Sequence, residues 1–151
     1  MKALLQRVTS ASVKIDEDIV GKIDAGLVVL LGVAGDDSEK DADYLVDKIV
    51  NLRIFNDTQN KFSLSALQIN GKVLVVSQFT LLSDTRKGRR PSFTQAAEPA
   101  KAEALYNYFV MKMKQMGLKV ATGRFAAHML VEIHNDGPVT ILLDSKEKLL
   151  L

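Results

Sequence analysis

At 151 residues and 47% hydrophobic, the chain fits one globular domain with one sizeable core and is cramped for two. Its 20 Lys and Arg against 18 Asp and Glu leave +2, so overall charge announces no polyanionic partner, and the absence of Cys removes disulfides, a thiolate nucleophile and Cys-based zinc. Met1 to Arg7 interleaves charged and polar residues where a signal peptide needs an apolar stretch, and the longest apolar run, Ala25 to Ala34, is far short of the roughly 20 residues that span a bilayer. A cytoplasmic protein in a reducing compartment, with no membrane partner, is expected.

In chain order, Leu4 to Val8, Ser12 to Ile15, Ile19 to Ile23 and Gly26 to Val33 read as strands, with Asp16-Glu17-Asp18 as a turn, and suggest an antiparallel meander. Leu27 to Leu31 lacks polar alternation, which predicts a strand covered on both faces. Ser38 followed by acidic residues is a helix start, and Ala42, Leu45, Val46, Ile49 and Leu52 recur at helical spacing. Asn70-Gly71 turns into a strand predicted from Lys72 to Leu81, and Leu82 to Glu98 reads as a long loop. Pro99 opens a second amphipathic helix, with Ala102, Leu105, Tyr106, Phe109, Met113 and Met116 on its apolar face and Gly117 as its stop. Two strands, Met129 to His134 and Val139 to Leu143, are joined by Asn135-Asp136-Gly137-Pro138. The sum is an α+β domain over residues 1–145, a curved, mostly antiparallel, barrel-like sheet with two amphipathic helices packed on it. Residues 146–151 form a charged, then apolar tail, either disordered or packed on a partner subunit.

Two segments carry polar groups against this apolar pattern. Ser77-Gln78-Phe79-Thr80-Leu81 ends a buried strand with two hydroxyls and an amide, either capped by neighbouring backbone or forming the floor of a ligand pocket. Gly137-Pro138 reads as the turn of a hairpin. A hydroxyl nucleophile is poorly supported: no Gly-x-Ser-x-Gly elbow is present, and strand alternation puts His134 with Glu132 on a wet face. Neither His128 nor His134 sits in a ligand-spaced cluster, so no metal and no cofactor are expected. Arg86, Lys87, Arg89 and Arg90 crowd around Gly88 and suit either a nucleic-acid phosphate backbone or plain solvation; Phe93, just beyond, suits a base or a loop anchor.

Gln6-Arg7-Val8, Leu30-Leu31-Gly32-Val33, Arg53-Ile54-Phe55, Ser77 to Leu81, Arg90-Pro91-Ser92-Phe93, Ala104-Leu105-Tyr106, Thr122-Gly123-Arg124-Phe125 and Asn135-Asp136-Gly137-Pro138-Val139-Thr140 together resemble the D-aminoacyl-tRNA deacylases, over nearly the whole chain up to Asp144. The resemblance implies a homodimeric hydrolase that removes D-amino acids, and glycine mischarged on tRNA(Ala), from tRNA, with D-aminoacyl-tRNA as partner and no DNA. It also implies a cis Gly137-Pro138 bond that enters the partner subunit's pocket and rejects L-aminoacyl esters. Ser77, Gln78, Phe79 and Thr80 would hold the ester, mainly through backbone N–H groups, with the tRNA 2′-hydroxyl assisting. Arg7, Asn135 and Thr140 would support the Gly-Pro segment, and Phe125 with Met129 would hold the adenosine. The alternative reading is a non-catalytic tRNA or RNA binding module using the Arg86 to Arg90 loop; a generic esterase with Ser77 or Thr80 as nucleophile ranks behind it.

Overall fold

The structure, a computed structural model, describes residues 1–147. Strands β1 (Lys2–Ile15), β2 (Asp18–Ile23), β3 (Gly26–Gly32), β6 (Lys72–Ser77), β7 (Lys119–Thr122) and β8 (Leu130–Asp144) make one sheet, while β4 (Phe55–Asn56) pairs with β5 (Phe62–Leu64). Helices α1 (Glu39–Asn51) and α2 (Pro99–Gln115) pack against each other and against this sheet.

The strand order is β2-β1-β3-β6-β7, with β8 on the other edge of β1, so the expected meander is not formed: β3 returns to pair with β1 and not with β2. The first half of β1 pairs with β3 and its second half with β2. The sheet is mixed. β3–β6 and β6–β7 are parallel, and the crossovers such pairing requires are carried by α1 and α2. β2 curls back towards β7, which nearly closes the sheet into a barrel.

The apolar runs of β3 and β6 are explained by two cores. Leu27, Val29, Leu31, Val73 and Val75 face the helices, whereas Val28, Leu74 and Val76 face a second cluster inside the curl with Val8, Ala11 and Val13. β1 serves both cores by shifting register: Ala3 and Leu5 face the helices, and past Arg7 the inward face passes to Val8, Ala11 and Val13.

Both helices begin as their sequences predict. Ser38 and Asp41 form a reciprocal capping box, and Pro99 occupies the first turn of α2, where a missing N–H costs nothing. Gly117, at φ +95°, follows the last turn. Met116 is exposed instead of facing the core, because it caps the helix after the apolar stripe has ended.

The two C-terminal strands predicted from the sequence are one strand, β8, paired with β1 on both sides of Asp136 to Val139, so no hairpin forms at Gly137-Pro138. Ser145–Glu147 is a single 3-10 turn in which Ser145 is buried; the tail residues 148–151, with the apolar end that the sequence marked, lie outside the described residues.

Candidate active site

The predicted strand to Leu81 stops at Ser77, and Phe79–Leu82 turns into a 3-10 helix. This turn is anchored by the Gln78 N–H, which donates to the Leu31 carbonyl at 2.8 Å, and by the Leu81 N–H on the Gln78 carbonyl at 3.2 Å. Phe79 and Thr80 therefore present their N–H groups at the open end of a helical turn, where no carbonyl of the turn can accept them. The Gln78 amide donates to the Thr80 hydroxyl, so that hydroxyl is held by an amide and not by an imidazole.

Beside this turn lies a cavity of about 530 Å³. Ser77, Gln78 and Phe79 line it from one side, Phe125 and Met129 from the other, and Ala97, Pro99 and Ala102 close it from the start of α2. Five predicted site residues are thus brought together, although Thr80 is exposed beside the cavity and does not line it.

Two features fix the far wall. Tyr106 is buried in α2, donates its hydroxyl to the Val75 carbonyl at 2.8 Å, and sets its ring 6.2 Å from that of Phe125. Burial pushes the Tyr106 phenol up to about 12. Gly123 leaves room for Met129: a Cβ there would lie 2.5 Å from the Met129 sulfur.

Gly137 and Pro138 are exposed and do not line this cavity. In the β1–β8 ladder Gln6 pairs with Thr140 and Val8 with Asn135, so the stretch Asp136 to Val139 bulges out opposite the single residue Arg7. Arg7 is only 7% exposed and holds the bulge from beneath. Its Nε donates to the Asp136 carbonyl at 3.1 Å, and its Nη1 donates to the Ile54 carbonyl at 2.9 Å and to Asn56 Oδ1 at 3.1 Å.

Asn135 clamps the bulge from the other side. Its Oδ1 accepts the Val139 N–H, and its Nδ2 donates to the Thr140 hydroxyl, each at 3.0 Å. The Gly137-Pro138 peptide is cis, and Gly137 sits at φ +130°, with room for a Cβ denied by Val139 Cγ2 at 2.8 Å and Arg7 Nη2 at 3.1 Å.

The predicted loop from Leu82 to Glu98 contains more order than expected. Asp84 and Ser92 exchange backbone hydrogen bonds of 2.8 and 2.9 Å and close a neck below Arg86, Lys87, Arg89 and Arg90. Arg86 is paired with Asp84, Nη2 to Oδ2 at 2.7 Å, and holds that carboxyl down to about 2. Lys87, Arg89 and Arg90 remain as exposed cations.

His128, which the sequence placed in no ligand-spaced cluster, is exposed and stands at the cavity rim, and His134 lies on the exposed face of β8 as predicted. Nothing in the local sequence around His128 marked it, because its position depends on how the β7–β8 connection folds over Ser77. Among the described residues, no group of three or more His, Asp and Glu is placed to hold a metal ion. No helix among them is long and apolar enough to cross a membrane.

Residues 4–144 match the family model described as D-Tyr-tRNA(Tyr) deacylase. A D-aminoacyl-tRNA deacylase of Caldicellulosiruptor saccharolyticus is 62% identical over 97% of the chain and 99% of the relative. One of Clostridioides difficile is 58% identical over the same shares.

A solved structure described as c-Myc DNA Unwinding Element Binding Protein has TM-score 0.90 and 41% identity over 95% of this chain and 98% of its own. A probable eukaryotic D-amino acid tRNA deacylase, at 17% identity and TM-score 0.85 over the same shares, shares the fold. The chain belongs to the D-Tyr-tRNA(Tyr) deacylase family and is an ester hydrolase of the D-aminoacyl-tRNA deacylase class.

Proposed function

We propose that this chain, acting in the cytoplasm as a homodimer, hydrolyses the ester between a D-amino acid, or glycine mischarged on tRNA(Ala), and the terminal adenosine of tRNA. The adenosine occupies the cavity between Phe125 and Met129, and the ester carbonyl meets the Phe79 and Thr80 N–H groups. The observation that carries this reading is the 3-10 turn at the cavity wall: its first two N–H groups, of Phe79 and Thr80, are beyond reach of the turn's own carbonyls, and the hydroxyl beside them is held by an amide and not by a side-chain base.

Water adds to the carbonyl, the bond to the ribose oxygen breaks, and that oxygen takes up a proton. The vicinal 2′-hydroxyl lies next to the reacting ester and orients the water or relays the proton. An ester already activated by a neighbouring hydroxyl asks the protein chiefly for position and charge stabilisation.

Chirality is read by Gly137 and Pro138 of a second protomer. Their carbonyls face the substrate Cα, so an L side chain is driven against them while hydrogen or a D side chain points away. Three features support this reading. The segment is exposed, it is clamped by Arg7, Asn135 and Thr140, and it lies outside its own protomer's cavity. A second copy has a matching edge to cover: β8 has no strand on its outer side among the described residues, and Leu130 and Leu142 there are 62% and 56% exposed.

The test compares D-tyrosyl-tRNA with L-tyrosyl-tRNA. Rapid release from the D ester alone is expected, and Thr80→Ala should lose less than the roughly 100-fold that marks a side chain in acid–base catalysis. Complete loss in a folded Thr80→Ala protein would overturn the backbone mechanism. A 3′ ester on a 2′-deoxy terminal ribose should be cleaved slowly, and undiminished cleavage would remove the 2′-hydroxyl step. Steeply salt-dependent RNA binding with no hydrolysis would favour the binding-module reading instead.

A further inference from the structure

Phe79 does more than line the cavity. The residue is 55% exposed, and Phe93 meets its ring edge-on at 5.1 Å and 71°, which steadies the ring and leaves surface open to solvent. Phe93 arrives there because the Asp84 and Ser92 backbones pair, which returns the chain to the foot of the 3-10 turn. The same neck carries Arg90, Arg89 and Lys87, which precede Phe93 by three, four and six residues and so lie at most about 11, 14 and 22 Å of extended chain from it.

Cavity rim, open aromatic face and three exposed cations are therefore tethered within reach of one short stretch of nucleic acid. Successive bases on aromatic rings, with the backbone tracked by cations, is how single-stranded nucleic acid is held. Arg86 is excluded from that set by its pairing with Asp84 and serves the neck instead.

We propose that Phe79, steadied by Phe93, is the stacking surface for the base that precedes the terminal adenosine, with Lys87, Arg89 and Arg90 on the adjoining phosphates. This rests on the reading that the adenosine fills the neighbouring cavity. The subsite accepts an unpaired nucleotide without reading its identity, since every base offers a π face. It accounts for an exposed phenylalanine beside a cationic loop, a combination that a solvated loop does not require.

The experiment uses three D-tyrosyl esters: of adenosine, of the CCA trinucleotide, and of a trinucleotide whose middle base is abasic. Aromatic stacking is worth about 1–3 kcal/mol per base, so the abasic ester should show a KM roughly 5- to 150-fold above that of the CCA ester with wild-type protein. In Phe79→Leu the two KM values should converge, and in Phe79→Tyr the wild-type gap should persist.

Raising salt should erode the advantage of both trinucleotides over adenosine, through the phosphates. Equal KM for the CCA and abasic esters in wild type would overturn the proposal and mean that the ring is covered by something else, such as the second protomer. Turnover of the adenosine ester in that same assay shows that the deacylase reading survives such a result. Failure to cleave any of the three esters would remove both.

Discussion

Arg7 is the residue on which the Gly-Pro segment depends most. It is the only β1 residue facing the bulge from Asp136 to Val139, and it spends its guanidinium on backbone carbonyls of Asp136 and Ile54 and on Asn56. Hydrogen bonds to a charged group contribute about 1.5–3 kcal/mol each, and losing them leaves buried carbonyls unpaired. Arg7→Ala should therefore lower stability by about 3 kcal/mol in denaturant unfolding and, in the protein that remains folded, raise L-tyrosyl-tRNA hydrolysis relative to D. An unchanged D to L ratio would separate Arg7 from selectivity.

Gly123→Ala should act on the other half of the site. Its Cβ meets the Met129 sulfur at 2.5 Å, so KM for D-tyrosyl-adenosine should rise while the melting temperature moves little.

Tyr106 supplies a pH prediction. Its phenol, raised to about 12 by burial, keeps its proton in the folded chain after the unfolded chain has lost it near 10. Its contribution is complete below about pH 10 and is lost as pH climbs towards 12, so the stability gap between wild type and Tyr106→Phe should narrow across that window. A gap constant from pH 8 to about 12 would show the phenol to be unburied.

At the scale of elements, the sequence was readable where a local rule decides. Ser38 and Pro99 mark both helix starts, Gly117 ends α2, and the unalternating runs of β3 and β6 predict cover on both faces. It was unreadable where pairing partners decide. Thr9 and Ser10 interrupt the apolar pattern of β1, yet the strand runs through them because β8 pairs along nearly its whole length. Pro138 reads as a strand breaker, and it is tolerated because it lies in a bulge where no ladder hydrogen bond is asked of it. The short strand β7 and the parallel order β3-β6-β7 follow from where α1 and α2 deliver the chain, which no local pattern encodes.

The same holds for the junction of chain ends. The Met1 amine donates to Asp37 at 2.6 Å and to Ser145 at 2.8 Å, with the Met1 and Asp37 side chains 0% and 1% exposed. Asp37 also accepts the Ala34 N–H at 2.6 Å and so ties β1, the start of α1 and the end of β8 together. Asp37→Ala would leave an ammonium buried without its counter-charge, and a loss of about 3–5 kcal/mol is expected in denaturant unfolding. A loss below about 1 kcal/mol would show the pair to be no more than a surface contact.

For the whole molecule, the site was half legible. Ser77 to Phe79, Phe125 and Met129, far apart in the chain, meet at one cavity. His128 at the rim and the ordered neck of the basic loop were not legible, since both depend on contacts between distant segments. Gly137 and Pro138 stand apart from the cavity of their own chain, so the account requires two copies to build each site.

Mixing protomers tests that requirement directly. Phe125→Asp should ruin the cavity, and Gly137→Val, whose side chain has no room within its own segment, should push that segment and its added bulk into the partner's pocket and block substrates of either hand, leaving each purified variant inactive while circular dichroism confirms its fold. Co-refolded in equal amounts, half the dimers pair one variant with the other, and one of their two sites combines an intact cavity with an intact Gly-Pro segment. D-tyrosyl-tRNA hydrolysis should then return to about a quarter of the wild-type rate, as two-fold symmetry requires. No recovery from two folded, subunit-exchanging variants would contradict the shared site.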